Sequence, residues 1–262
     1  MKNKIFVDTN VLVAASVRAV LSEQSVDVKH LFFDVSTPLF LLVREHIDKR
    51  IGVVTERIET EAHNVIERAV MNELQRAASD FSSLSAVLDV CTDNLRRFLQ
   101  CTIREPVEQD SVDKWFVKVC AFFALQKERM ELVDRRVLKS LGKERAEVSV
   151  SKRFRAIGEQ IRTDEVIDEF YQLTRLKHRP VKRNDMWILS EAAYLKEHFE
   201  KETPVRFYIA SCDQHLSPVL DDDGYPVSTK ITAEIGEEFG IQCDWPDRIA
   251  ADVRKFLPSD AS

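Results

Sequence analysis

The chain is poor in the residues that punctuate irregular backbone, with 6 glycines and 8 prolines among 262 residues. That scarcity predicts many helices and few irregular loops. Long apolar runs are also missing. The longest candidate, Leu39–Val43, is a fragment of an amphipathic helix and falls far below the roughly 20 residues that a membrane-crossing helix needs. The first residues carry two lysines and then reach Asp8, with no secretory apolar stretch, so a cytoplasmic protein without a membrane partner is expected. Cys91, Cys101, Cys120, Cys212 and Cys243 are scattered and contain no Cys-x-x-Cys pair, which argues against a zinc ribbon and a disulfide framework. Buried thiols in a reducing compartment are the expectation. An excess of positive charge is lacking as well. The formal net charge of −6 counts against a protein that coats nucleic acid non-specifically and leaves local binding open.

What is present begins at Lys4–Ala15. Ile5, Phe6 and Val7 form a short apolar run, Asp8-Thr9-Asn10 follow at once, and Val11–Ala15 resumes as an apolar helix. This pattern predicts a buried strand that hands a carboxylate to the strand's exit, the edge of an open α/β sheet where ligands bind. Ser22–Lys29 reads as a loop. Ser36-Thr37-Pro38 reads as the start of a helix over Leu39–Lys49. Ile51–Val54 reads as a second strand, and Thr55 caps a helix whose apolar stripe includes Ile58, Ala62, Val65 and Ile66. Glu61 lies beside that stripe, with Glu56 and Glu59 in the same turns. Much later, Asn184-Asp185 opens another helix, and Val205–Ala210 is a strand leading into Ser211-Cys212-Asp213. Ile231–Phe239 reads as a helix closed by Gly240, with a last short strand at Ile241–Cys243.

If the strands are parallel neighbours, Asp8, Glu61, Asp185 and Asp213 converge at one end of the sheet. Isolated carboxylates about 4 Å apart repel by roughly 4 kcal/mol at an effective dielectric near 20, so such a group needs a cation. Hard oxygen donors without a His/Cys partner at suitable spacing suit Mg²⁺ or Mn²⁺ better than zinc. A carboxylate-held cation of this kind acts on phosphates, and the chemistry expected is metal-assisted phosphodiester hydrolysis. His63 is excluded as a co-ligand of Glu61, because two residues along a helix turn it about 200° away. His215 reads as a surface histidine, with contact to a phosphate as the alternative.

In the order Phe6-Val-Asp-Thr-Asn-Val-Leu12, Ile58-Glu-Thr-Glu-Ala62, Asn184-Asp-Met-Trp-Ile188, Ser211-Cys-Asp213 and Phe239-Gly-Ile241, the chain resembles a PIN-domain nuclease. The resemblance covers about residues 1–70 and 180–250. It implies an α/β fold, a parallel-sheet, PIN-like three-layer core, and divalent-metal-dependent cleavage of RNA. Transferred residue by residue, it makes Asp8, Glu61, Asp185 and Asp213 the catalytic and metal-binding quartet. Thr9, Asn10 and Ser211 become supporting residues that orient ligands or waters. Where many relatives place a further acid two residues after the fourth, this chain has His215.

Residues 72–176 read as an all-helical insertion between a first core part, 1–71, and a second, 177–262. Aromatic residues of the segment Val112–Leu141 are expected to form a core of their own. Basic residues cluster around Lys139–Arg155 and again at Arg175, Lys177, Arg179, Lys182 and Arg183. The second cluster contains no acid and would guide RNA phosphates toward Asp185. The competing reading is a non-catalytic, PIN-like scaffold that binds RNA or protein, with the insertion as the interface to a protein partner or a second copy in a homodimer. A haloacid-dehalogenase-like phosphatase fits poorly, because its acid two residues after the first Asp is here Asn10.

Overall fold

A computed structural model describes residues 1–21, 30–77, 81–123, 183–213, 215–220, 226–228 and 230–257. The expected loop at Ser22–Lys29, the basic residues Lys139–Arg155, and Arg175, Lys177, Arg179 and Lys182 lie outside them. The chain divides into two compact units, one of Met1–Pro106 with Leu195–Ser262 and the other of Val107–Tyr194.

The first unit is an α/β structure. Its elements in chain order are β1 (Lys2–Val7), α1 (Thr9–Leu21), α2 (His30–Glu45), β2 (Gly52–Val54), α3 (Glu56–Ala77), α4 (Phe81–Gln100) and β3 (Ile103–Arg104). After α5 (Arg183–Glu200), which begins in the second unit, come β4 (Val205–Ala210), β5 (Val219–Leu220), β6 (Pro226–Ser228), α6 (Lys230–Phe239), β7 (Ile241–Asp244) and α7 (Pro246–Arg254). Five strands form one sheet in the order β3-β2-β1-β4-β7, and every pairing in it is parallel. β1 and β4 run side by side from Lys2↔Val205 to Val7↔Ala210. Both are buried on nearly every residue, as a central parallel strand covered on both faces must be. The chain leaves β1 toward β2 and β3, and leaves β4 toward β7. The β1/β4 junction is therefore the point where strand order reverses, and in such sheets the crevice beyond the strand ends is the ligand-binding position.

Local chemistry explains the elements around that junction. Thr55 Oγ1 accepts a hydrogen bond from Ile58 N at 3.5 Å, so the start of α3 is capped as expected. Gly52 in β2 leaves no room for a side chain, since a Cβ there would stand 2.8 Å from Val43 Cγ1. Gly240 follows α6 with φ +64°, the left-handed conformation that ends a helix cheaply only at glycine. Ile5, Phe6, Leu12, Leu39, Leu42, Ile58 and Phe98 are fully buried and form the core.

Three expectations need correction. First, α2 starts at His30, and Pro38 lies inside it rather than at its opening. The proline removes one helical hydrogen bond, but the buried face of Val35, Leu39, Leu42 and Val43 holds the helix through it. Second, the segment after residue 71 is not all-helical: Ile103–Arg104 pairs in parallel with Val53–Val54, and the first unit continues to Pro106. α4 belongs to the same unit, with the Phe98 ring stacked on Phe40 at 4.9 Å. Third, the second unit extends to Tyr194, so Asp185 belongs to it and not to the first unit.

Within the second unit, residues 109–123 are helical and bury Val112, Phe116, Val119, Phe122 and Phe123. The Phe116 and Trp187 rings stack at 4.0 Å, and Cys120 Sγ lies 3.6 Å from Met186 Sδ. For these residues the expected aromatic core is present. All five cysteines are free, and all but Cys101 are buried.

Candidate active site at the carboxyl end of the sheet

Asp8 stands one residue beyond β1 and Ser211 one residue beyond β4, and the parallel ladder continues through them. Asp8 N donates to Ala210 O at 3.1 Å, and Ser211 N donates to Asp244 O at 3.3 Å. The backbone then turns into α1, with Asp8 O accepting from Val11 N and Leu12 N at 3.1 and 3.3 Å. The Asp8 side chain is thereby fixed at the mouth of the β1/β4 junction, where it is 2% exposed.

Two side chains clamp it. Ser211 Oγ donates to Asp8 Oδ2 at 2.6 Å, and Asn10 Nδ2 donates to the same oxygen at 2.7 Å. Two donors aimed at one carboxylate oxygen fix its orientation. Asn10 also spans the junction: its Oδ1 accepts from Cys212 N at 3.0 Å, and its Nδ2 lies 3.2 Å from Ser211 Oγ. Ser211 Oγ in turn accepts from Asp213 N at 2.9 Å. A single network therefore joins the residues after β1 to those after β4.

Asp213 begins a tight turn in which Leu216 N and Ser217 Oγ donate to its carbonyl at 2.9 and 2.7 Å. Its carboxylate Oδ1 accepts from His215 N at 3.0 Å and lies 3.0 Å from His215 Nδ1. His215 is buried, which corrects its reading as a surface histidine. The signal was its spacing from Asp213: in a turn, a side chain two residues on can fold back onto the carboxylate.

Among the acids of α3, contacts separate Glu61 from its neighbours. Thr9 Oγ1 donates to Glu61 Oε2 at 3.1 Å, which ties Glu61 to the β1 exit. Glu56 and Glu59 instead pair with Arg104 at 3.1 and 3.4 Å. His63 is exposed and contacts Glu59 O, away from the group. Asp185 lies in the first turn of α5 and is buried in the second unit, while Asn184 beside it is exposed. The helix runs from Arg183, so Asn184 lies inside it rather than at its cap. The structure thus brings together Asp8, Thr9, Asn10, Glu61, Ser211 and Asp213 in the first unit.

The electrostatics of this end are acidic. Burial chiefly pushes the Cys212 thiol up to about 12, and the Asp8, Asp247 and Asp213 charges push the same way against a hydrogen bond from Ser36. Asp244, at the end of β7, is held above the usual carboxylate range mainly by burial. Neither Asp244 nor Asp247 was singled out from sequence. Ile241–Asp244 repeats the pattern of an apolar strand ending in a carboxylate, which was the available signal. Comparison of the chain with protein-family models, curated proteins and solved structures found no match.

Proposed function

We propose that this protein is a divalent-metal-dependent endoribonuclease with a PIN-like three-layer core. The observation that carries the reading is the network at the switch point, in which Ser211 and Asn10 cross-link Asp8 after β1 to the Asp213 segment after β4. These are the residues to which the motif resemblance gives ligand and supporting roles.

The donor chemistry fits Mg²⁺ or Mn²⁺. Asp8, Glu61 and Asp213 offer hard carboxylate oxygens, whereas the Cys212 thiol stays protonated at neutral pH and offers no thiolate to a softer metal. Asp185 joins the proposed ligand set on its sequence motif alone. When bound, the cation supplies neutralisation of phosphate oxygens and a water made acidic enough to attack. The chain's own residues do the positioning. Ser211 and Asn10 fix the orientation of the Asp8 carboxylate, Thr9 holds Glu61, and His215 holds Asp213 through Oδ1. Arg175, Lys177, Arg179, Lys182 and Arg183 are proposed to attract the RNA backbone.

The test is cleavage of labelled single-stranded RNA, hairpin RNA and single-stranded DNA with Mg²⁺, Mn²⁺ or a chelator. Cutting of RNA by the native protein that needs the metal and disappears in Asp8→Asn and in Asp185→Asn is the expected result. Equal cutting by native and variant proteins would assign the activity to a contaminant. RNA binding without cutting would favour a scaffold.

A further inference from the structure

The opposite end of the sheet holds a second candidate site, built from cations. A cavity of about 460 Å³, within the range of small-molecule sites, opens at the amino end of β1, and Lys2, Lys4, Lys49 and Arg50 line it. Asp48 is the single acid in its lining. Phe256, half exposed, and Leu257 form an apolar wall, and the Arg206 guanidinium sits 3.6 Å from the Phe256 ring centre and props it in place.

Two features mark this cavity as more than a solvated basic face. Lys4 is 8% exposed, yet its ammonium pairs with no carboxylate among the described residues. Nζ donates to Arg50 O at 2.8 Å and lies 4.6 Å from the centre of the Phe199 ring, while Glu105 and Glu202 act on it only from a distance. A buried ammonium has three donors to satisfy, and the cost of leaving it uncompensated is large. Arg50 is the second feature. It has φ +49°, the only non-glycine residue with positive φ among those described. Glycine would take this conformation without strain, and strained residues cluster at sites where a side chain is needed in place. The Arg50 carbonyl is the acceptor for Lys4, so the strained turn orients both cations.

We infer that this cavity binds an organic phosphate of mononucleotide size. The phosphate dianion is met by Lys4, Lys49 and Arg50 and the apolar or aromatic body lies against Phe256 and Leu257. Charge selects the head: four cations against Asp48 favour a dianion over a neutral or cationic group. The combination of cations with an apolar wall selects an organic phosphate over inorganic phosphate. The inference does not depend on the nuclease reading.

Calorimetric titration of the full chain with adenosine 5′-monophosphate, inorganic phosphate and adenosine tests it. A chelator is present throughout, so that no cation recruits phosphate to the Asp8 end. Expected is saturable binding of the monophosphate, weaker binding of inorganic phosphate and none of adenosine. Arg50→Gly, which removes the guanidinium and suits the backbone, and Lys49→Gln each weaken monophosphate binding about tenfold or more, as the loss of one charge-assisted hydrogen bond does. Asp8→Asn leaves binding unchanged. Absence of binding to the native protein, equal affinity for adenosine, or full affinity in folded Arg50→Gly and Lys49→Gln variants would overturn the inference.

Discussion

The two ends of the parallel sheet are chemically opposite although the same strands build both. At the carboxyl end, Asp8 and Asp213 follow β1 and β4, and their oxygens are held by Ser211, Asn10 and His215. At the amino end, Lys2 and Lys4 of β1 meet Lys49 and Arg50 from the turn before β2. Strand dipoles are too small to produce such a contrast, so the side chains set it. The six residues of β1 span about 20 Å at roughly 3.3 Å each. At that separation, substitutions at the two ends are expected to act additively. The two ends also differ in how polar groups are satisfied. The acid end has a hydrogen-bond network that fixes its carboxylates, whereas at the basic end the buried Lys4 ammonium forms an ion pair with no carboxylate among the described residues.

The largest effect expected is on the chemistry of the acid end. Asp8→Asn should lower metal-dependent RNA cleavage by about 100-fold or more, as loss of a group that stabilises charge in the reaction does. Its melting temperature should stay near native, because an amide accepts the same hydrogen bonds. Ser211→Ala should come next. Its hydroxyl is a bridge rather than a ligand, so metal affinity should fall by about 10–100-fold. Loss of the Ser211 acceptor for Asp213 N should cost about 1–3 kcal/mol of stability, read by urea unfolding.

Stability against pH separates the ends by sign. Burial raises the Cys212 thiol to about 12 in the folded state, so its contribution is present below the ordinary thiol range and is lost as pH rises from about 8.5 toward 12. Burial lowers Lys4, so the fold is penalised while its ammonium is charged and gains as the pH rises through its folded value. Unfolding midpoints measured from about pH 7 to pH 11 should fall less steeply in Cys212→Ala and more steeply in Lys4→Met. The opposite order would break the assignment of the two ends. The smallest effect is expected from Arg50→Gly, which should raise stability by about 1 kcal/mol through relief of the left-handed strain. Combined with Asp8→Asn, its effect should add within about 0.5 kcal/mol.

Much of the acid end could be read before any coordinates. Ile5-Phe6-Val7 and Val205–Ala210 are apolar runs that stop at a carboxylate segment, and both became central parallel strands with those segments at one edge. Glu61 was legible as a candidate but not separable from Glu56 and Glu59, because the choice depends on Thr9 and Arg104, which lie far away in sequence. β3 escaped notice because two residues, Ile103 and Arg104, carry no periodicity, and only pairing with β2 makes them a strand. The start of α2 was hidden by Pro38, since proline signals a first turn whenever the preceding hydrophobic face is not recognised. The basic end was invisible for another reason. Lys2, Lys4, Lys49 and Arg50 are ordinary charges in sequence, and their grouping depends on strand register and on one left-handed residue.

The central claim is that the Asp8 end holds a divalent cation. Titration of Mn²⁺ into the native protein and into Asp8→Asn, followed by calorimetry, tests it directly. The account predicts saturable binding to the native chain that weakens by about tenfold or more in the variant. Equal uptake by the two proteins, or no binding to the native chain, would contradict it.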